Sequence, residues 1–371
     1  DPDKLLGLSR HPRDRPVPPD PGLGRRDTFP AMAAFPLPVL HTLSGDHTPD
    51  TPETEPIRMA VHEAGNGAGR PPVVLCHGFP ELAYSWRHQL PALADAGFRA
   101  IAPDQRGYGG TSRRASTAPE PIGDYSLGSL CGDLADLLDA LEIERAVFVG
   151  HDWGGFVAWA MPVLFPERCA GVVGVCTPYT PFPSTDFLRQ MFGDDPEQMY
   201  MLWFQEPGVA ESYLDPRARL VFEKLTVGGV DPAKLAAAGT ERKAGSTFNP
   251  FLGLEDLPEL GEPLLSEEEL EVYASTFRRT GFRGGINWYR NIDRNLAEHP
   301  EVGSRPLDLP TLMICAEWDP ALPPALAATM GERCSDLEMH TIAKAGHWVQ
   351  QEYPEEVNDL LIDWLSRRFA G

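Results

Sequence analysis

The chain is short of cations: 32 Lys and Arg stand against 54 Asp and Glu, a formal charge of -22 at neutral pH. A surface of that sign repels polyphosphates, which excludes nucleic acid as a partner. Long apolar runs are also missing, since none approaches the ~20 residues that cross a bilayer as a helix. The six cysteines, Cys76, Cys131, Cys169, Cys176, Cys315 and Cys334, include no CxxC pair and sit mostly within apolar runs. Buried free thiols in a reducing, cytoplasmic compartment are expected from that scatter. Met32 to Leu40 contains Pro36 and Pro38 and lacks a basic lead and a cleavage site, so it does not read as a signal peptide. Internal repeats are not apparent.

What is present suits a globular α/β chain. At 371 residues with 42% hydrophobic content, the length allows one large domain with an insertion, or two domains. Residues 1–55 read as a proline-rich tail and lead-in, with seven prolines among the first thirty residues. From residue 56 onward, apolar runs typical of buried parallel strands (Val73 to Cys76, Ala100 to Pro103, Ala146 to Val149, Gly171 to Cys176, Thr311 to Ala316) alternate with helical patterns. Leu127, Leu130, Leu134, Leu137, Leu138 and Leu141 follow Asp124 and Ser126, either of which can cap a helix. Pro354 opens a last helix with Val357, Leu360, Leu361, Trp364 and Leu365 on one face. The alternation predicts a doubly wound, mostly parallel sheet built from residues 56–176 and 308–371. It stops over residues 177–307, where a helical lid is expected; there Ser266 and Glu269 form a capping box and Gly281 is placed to end the helix. Thr226 to Glu262, rich in Gly, Pro and Ala, reads as a long loop bordering the substrate entrance.

Gly150-His151-Asp152-Trp153-Gly154-Gly155 lies between a strand-like run and a helix-like one. Such an elbow holds its centre residue in a strained geometry with the side chain clear of the sheet. Here the centre is Asp152, where most elbows carry serine. A carboxylate attacking saturated carbon leaves an ester that water can cleave, whereas a serine would leave an inert ether. The substrate class is therefore an alkylating agent. Further along, Glu317-Trp318-Asp319 and Gly346-His347-Trp348 each follow a strand, the second after Leu337 to Ile342. The order nucleophile, acid, histidine has Asp319 fix the His347 tautomer and His347 activate water; Glu317 is a competing acid. Backbone N–H groups of Phe79, in the turn His77-Gly78-Phe79-Pro80, and of Trp153 are placed to form an oxyanion hole. His77 and His151 read as braces of the fold, and Asp104 and Arg106 as a structural turn. Pro162, inside the helix after the elbow, predicts a kink.

Together with His77-Gly78-Phe79-Pro80, the elbow, Asp319 and His347-Trp348, three further segments complete a pattern: Asp104-Gln105-Arg106-Gly107-Tyr108-Gly109, Trp203-Phe204-Gln205-Glu206-Pro207-Gly208 and Asn287-Trp288-Tyr289-Arg290-Asn291. The chain resembles the α/β-hydrolase-fold epoxide hydrolases, and is similar to the catalytic domain of the soluble ones, over about residues 56–369. The elbow is shared with related dehalogenases; the two lid segments are the more specific. The resemblance implies that Tyr200 and Tyr289 donate hydrogen bonds to the epoxide oxygen. It also implies a hydroxyalkyl ester on Asp152 cleaved to a vicinal diol, a cis Phe79-Pro80 peptide, and no metal or organic cofactor. Tyr213 and Tyr179 compete with Tyr200 for its role. Phe79, Trp153, Phe156, Trp203 and Trp348 are candidates for the pocket wall, which suits aryl or alkyl epoxides such as styrene oxide. The tail is too short for the N-terminal phosphatase domain of the mammalian enzymes. The sequence leaves a homodimer open. Two other readings compete: a dehalogenase using the same Asp-His-Asp triad, with the Trp153 indole as a halide donor, and a non-catalytic small-molecule-binding protein of the same fold, although no catalytic residue is missing.

Overall fold

Val73–Cys76 is fully buried along its whole length, as a strand covered on both faces must be, and forms β3 near the middle of the main sheet. In the computed structural model, which describes residues 35–47, 56–67, 69–111, 121–232, 249–257, 259 and 261–369, that sheet has eight strands. In chain order they are β1 (Val39–Thr42), β2 (Arg58–Ala64), β3, β4 (Ala100–Pro103), β5 (Ala146–His151) and β6 (Cys169–Val175), then β9 (Leu307–Ala316) and β10 (Cys334–Ile342). Two short strands, β7 (Val227–Gly228) and β8 (Glu262–Pro263), pair as a separate hairpin. The spatial order is β1-β2-β4-β3-β5-β6-β9-β10, parallel from β4 to β10 and antiparallel at β2. The mostly parallel sheet expected from the alternation is therefore present.

Two strands escape the apolar-run pattern. β1 lies inside the stretch read as tail and lead-in, and β2 begins at an exposed Arg58. Both are near one sheet edge, where exposed positions break an apolar run; β2 pairs antiparallel with β4, and β1 pairs antiparallel with β2. The proline-rich segment 1–34 and residues 233–248 of the expected loop lie outside the described residues.

Helices follow their sequence signals closely. Ser126 caps Leu127–Ala140 by accepting from the Ser129 N–H. Ser266 and Glu269 form the capping box of Glu267–Thr280, and Gly281 ends it at φ 65°. Pro354 occupies the first turn of Pro354–Arg368. Pro162 is accommodated near the end of Trp153–Leu164, within its final turn. Between β6 and β9 the chain forms the helices Thr185–Phe192, Tyr200–Trp203, Val209–Leu214, Ala218–Leu225, Glu267–Thr280, Arg283–Arg290 and Ile292–Glu298, the lid inserted in the sheet's connectivity.

Two buried clusters hold the turns that feed the site. Arg106 makes a two-pronged pair with Asp133 at 2.7 and 2.6 Å, both side chains buried. Asp104 accepts from the Ala83 and Gly110 N–H groups, at 3.0 and 2.8 Å. Both residues are thus structural, as their turn suggests.

Candidate active site

β5 runs into Asp152, whose backbone lies at φ 49°, ψ -123° before the helix Trp153–Leu164 begins. For a residue other than glycine that conformation costs on the order of 1–3 kcal/mol and persists only where neighbours impose it. The Thr177 hydroxyl and the Gly155 N–H both hold the Asp152 carbonyl, at 2.8 and 2.9 Å. Crowding explains the glycines: a Cβ on Gly154 would stand 2.0 Å from the Cys76 carbonyl oxygen, and one on Gly78 would stand 2.5 Å from Asp152 Cβ. Only bare backbone lets the β3 turn lie directly against the elbow.

The two carboxylate oxygens of Asp152 are unequal. Oδ1 accepts the Phe79 N–H at 2.8 Å, and the Trp153 N–H also binds the carboxylate. Oδ2 faces His347 Nε2 at 3.8 Å, an ion-pair separation longer than a hydrogen bond. Burial raises the Asp152 carboxyl from its ordinary value; His347, His151 and the two backbone N–H groups oppose it. The Phe79-Pro80 peptide is cis, as the resemblance implies.

His347 Nδ1 bonds Asp319 Oδ2 at 2.9 Å, and Asp319 Oδ1 accepts from the Ala321 and Leu322 N–H groups at 2.8 and 2.9 Å. Burial alone would lower the histidine, but the Asp319 and Asp152 carboxylates push it up to about 9. Burial likewise opposes ionisation of Asp319, yet His347 and the two N–H groups hold it down at about 2. Glu317, the competing acid, instead accepts the Lys344 N–H at 2.8 Å. Sequence and structure agree that Asp319 is the partner of His347.

The bracing histidines do different work. His77 Nε2 accepts the Gln105 N–H at 3.1 Å, so its Nδ1–H donates to the Gly78 carbonyl; burial lowers its pKa and keeps it neutral. His151 presents Nδ1 to Glu81 Oε2 at 2.8 Å and Nε2 to the His347 carbonyl at 2.7 Å. Glu81, fully buried, also accepts from the Gly78 N–H and from the Gln350 and Gln351 side chains. This acid joins the turn after β3, the end of β5 and the segment after His347. Its signal was its place directly after His77-Gly78-Phe79-Pro80.

The lid brings Tyr200 and Tyr289 together, with ring centroids 5.7 Å apart and their side chains hydrogen bonded. Gln205 donates to the carbonyls of Met201 and Tyr289, at 2.8 and 3.0 Å, and Arg290 donates to the Phe204 carbonyl at 2.8 Å. The two lid segments thus interlock, Gln205 tying down the backbone of Tyr289 and Arg290 that of Phe204. Burial raises both phenols, Tyr289 well above its ordinary value, so both stay protonated donors. The Trp153 side chain hydrogen-bonds Tyr289, and since an indole has no acceptor its N–H is the donor. Of the competitors, Tyr179 donates to the Arg305 carbonyl and Tyr213 to Glu255, both directed elsewhere.

Phe79 packs edge-on to Tyr289 and Phe204, while Trp153 contacts Phe156, Phe182 and Tyr289. Trp348 stands edge-on to His347, with centroids 4.8 Å apart. Trp203 meets this group only from behind Phe204; its other ring neighbour among the described residues is Tyr213. Phe182 and Phe251 join the wall without any sequence signal beyond being aromatic. Ligand-type atoms of His151, Cys176 and His347 also lie within 4.8 Å of one another. Both His151 nitrogens are already engaged and the thiol points at the His347 carbonyl at 3.4 Å, so this donor set does not suit a metal ion. All six cysteines are free and buried. No helix among the described residues is long and apolar enough to cross a membrane.

Residues 71–206 match a family described as the alpha/beta hydrolase fold. Epoxide hydrolase A of Mycobacterium tuberculosis (strain ATCC 25618 / H37Rv) is 42% identical over 324 residues, covering 85% of this chain and 96% of that protein. Bifunctional epoxide hydrolase 2 of Sus scrofa is 38% identical over 310 residues, 84% of this chain and 53% of that protein, so the chain spans about half of it. The crystal structure of epoxide hydrolase A from Mycobacterium thermoresistibile superposes with a TM-score of 0.74 at 40% identity, covering 90% of this chain and 99% of that one.

Proposed function

The chain belongs to the epoxide hydrolases of the α/β-hydrolase fold, and on that premise we propose that it opens its substrate by attack of Asp152 on an epoxide carbon. Oδ1 is held by the Phe79 N–H and the Trp153 N–H binds the same carboxylate, while Oδ2, on the His347 side, forms the new C–O bond. As the ring C–O bond breaks, Tyr200 and Tyr289 donate hydrogen bonds to the leaving oxygen, and one of them supplies its proton. The product of this half-reaction is a hydroxyalkyl ester with Oδ1 as its carbonyl oxygen.

Ester formation then changes the histidine. In the free enzyme two carboxylates hold His347 up at about 9, mostly protonated near neutral pH and unfit as a base. The ester is neutral, so the contribution of Asp152 disappears and the pKa of His347 falls. Neutral His347, oriented by Asp319, takes a proton from water; the oxygen attacks Cγ, and the Phe79 and Trp153 N–H groups receive the charge developing on Oδ1. Collapse releases the diol, whose oxygen takes the proton back from His347; the proton left on the Asp152 carboxyl then passes to His347, and the one His347 shed on ester formation restores the tyrosine phenol.

One observation carries this reading: two neutral phenols, hydrogen bonded to each other, share a buried site with a carboxylate and a His-Asp pair. The dehalogenase alternative needs a free N–H donor for halide. The Trp153 indole, the candidate donor, is satisfied by Tyr289. The aromatic wall favours uncharged aryl or alkyl epoxides. Incubation with styrene oxide and, separately, with a haloalkane tests the choice: the expected result is diol from the first and no halide from the second. Halide release without diol would overturn it, and no turnover of either would favour a binding protein.

A further inference from the structure

Asp152 and His347 are held by different parts of the molecule. The nucleophile is fixed by core groups: the Phe79 N–H on its carboxylate and the Thr177 hydroxyl on its carbonyl. The loop carrying His347 is tied to the lid. Immediately after it come Trp348 and a single helical turn, Val349–Glu352. The Trp348 indole N–H donates to the carbonyl of Leu225, the last residue of a lid helix, at 2.7 Å. Arg87 donates at 2.6 Å to Gln351 and at 2.5 Å to Glu269, the capping-box acid of another lid helix. Glu352 reaches furthest: Oε2 accepts the N–H of Gly346, the residue before His347, at 2.7 Å, and Oε1 accepts the N–H of Gly229, just past β7, at 2.6 Å. The fit is close, since a Cβ on Gly228 would stand 2.9 Å from the Glu352 side chain.

We propose that Glu352 is a positioning residue that clasps the lid hairpin to the catalytic-histidine loop, so that lid seating sets the place of His347 while leaving Asp152 untouched. The inference rests on the covalent route above. One carboxylate accepting two backbone N–H groups is a strong, charge-assisted link. Without it the hairpin and the loop separate, and His347 loses its aim at the ester carbonyl. The attacking carboxylate keeps its hydrogen bonds from the Phe79 and Trp153 N–H groups. The clasp therefore acts on the second half-reaction.

Glu352→Gln tests this. The amide has nearly the same shape, but its NH2 faces one of the two N–H donors, so at least one bond is lost. Excess enzyme and styrene oxide are mixed for a single turnover, and the ester-bearing protein is followed by mass after quenching. The wild type should form and clear the ester. E352Q should form it within about twofold of the wild-type rate and clear it about tenfold more slowly, the order of loss expected for a misplacement of under about 1 Å. Glu352→Asp, which keeps the charge but withdraws both oxygens, should show the same split more mildly and covers the case in which E352Q does not fold. Equal slowing of both steps, or no change in either, would overturn the clasp. Absence of ester in the wild type would instead overturn the covalent route and the clasp with it.

Discussion

His347 Nδ1 lies 2.9 Å from Asp319 Oδ2, and that carboxylate is itself anchored by the N–H groups of Ala321 and Leu322. This contact orients the imidazole and contributes the largest charge acting on it. Replacing Asp319 with Asn keeps the shape but removes the charge and permits the wrong tautomer. In hydrolytic triads that change costs about 10⁴-fold. We expect D319N to form ester and to stall there, with turnover down by about 10³- to 10⁴-fold; quenched-flow mass analysis reads both quantities.

The same pair gives stability a defined pH window. Asp319 is depressed from 3.8 to about 2, so its contribution is complete above 3.8 and is lost as pH falls through about 2. His347 is raised from 6.5 to about 9, so its contribution is complete below 6.5 and fades as pH rises through about 9. Denaturant midpoints measured across pH should therefore lose the alkaline fade in His347→Gln relative to wild type. An identical alkaline slope in both proteins would contradict the assignment.

In the proposed mechanism Tyr200 and Tyr289 supply the acid for ring opening. Removing both hydroxyls as Tyr200→Phe with Tyr289→Phe should abolish detectable ester formation, while each single change, leaving one phenol, should slow it by about 10²-fold. Circular dichroism should show the fold intact, because Gln205 and Arg290 still join the two lid segments through backbone carbonyls when the hydroxyls are removed. Ester formation at the wild-type rate in the double variant would remove the phenols from the mechanism.

Arg106 and Asp133 should matter to stability alone. Asp133→Ala leaves a buried guanidinium without its carboxylate and should cost about 3–5 kcal/mol in urea unfolding. The folded fraction at low temperature should retain wild-type ester kinetics.

The central strands were legible in the sequence because strands buried on both faces write unbroken apolar runs, as Val73–Cys76 does. The edge strand Val39–Thr42 was not, since its exposed positions and flanking prolines resemble a lead-in. Helix ends at Ser126, Ser266, Gly281 and Pro354 could be read because capping is local chemistry. Candidate site residues were placed by strand-end motifs and by resemblance. What could not be read was long-range packing: that Glu81 joins three segments, that Trp203 turns toward Tyr213, and that Phe182 and Phe251 complete the wall.

The central claim is that the new oxygen of the product comes from Asp152. A single turnover of excess enzyme with styrene oxide in ¹⁸O-water, followed by mass analysis of the diol and of the peptide containing Asp152, tests it most directly. The account predicts unlabelled diol and one ¹⁸O in the Asp152 carboxylate, because water attacks the ester carbonyl and not the substrate carbon. Labelled diol with an unlabelled peptide would mean direct attack by water, and would contradict it.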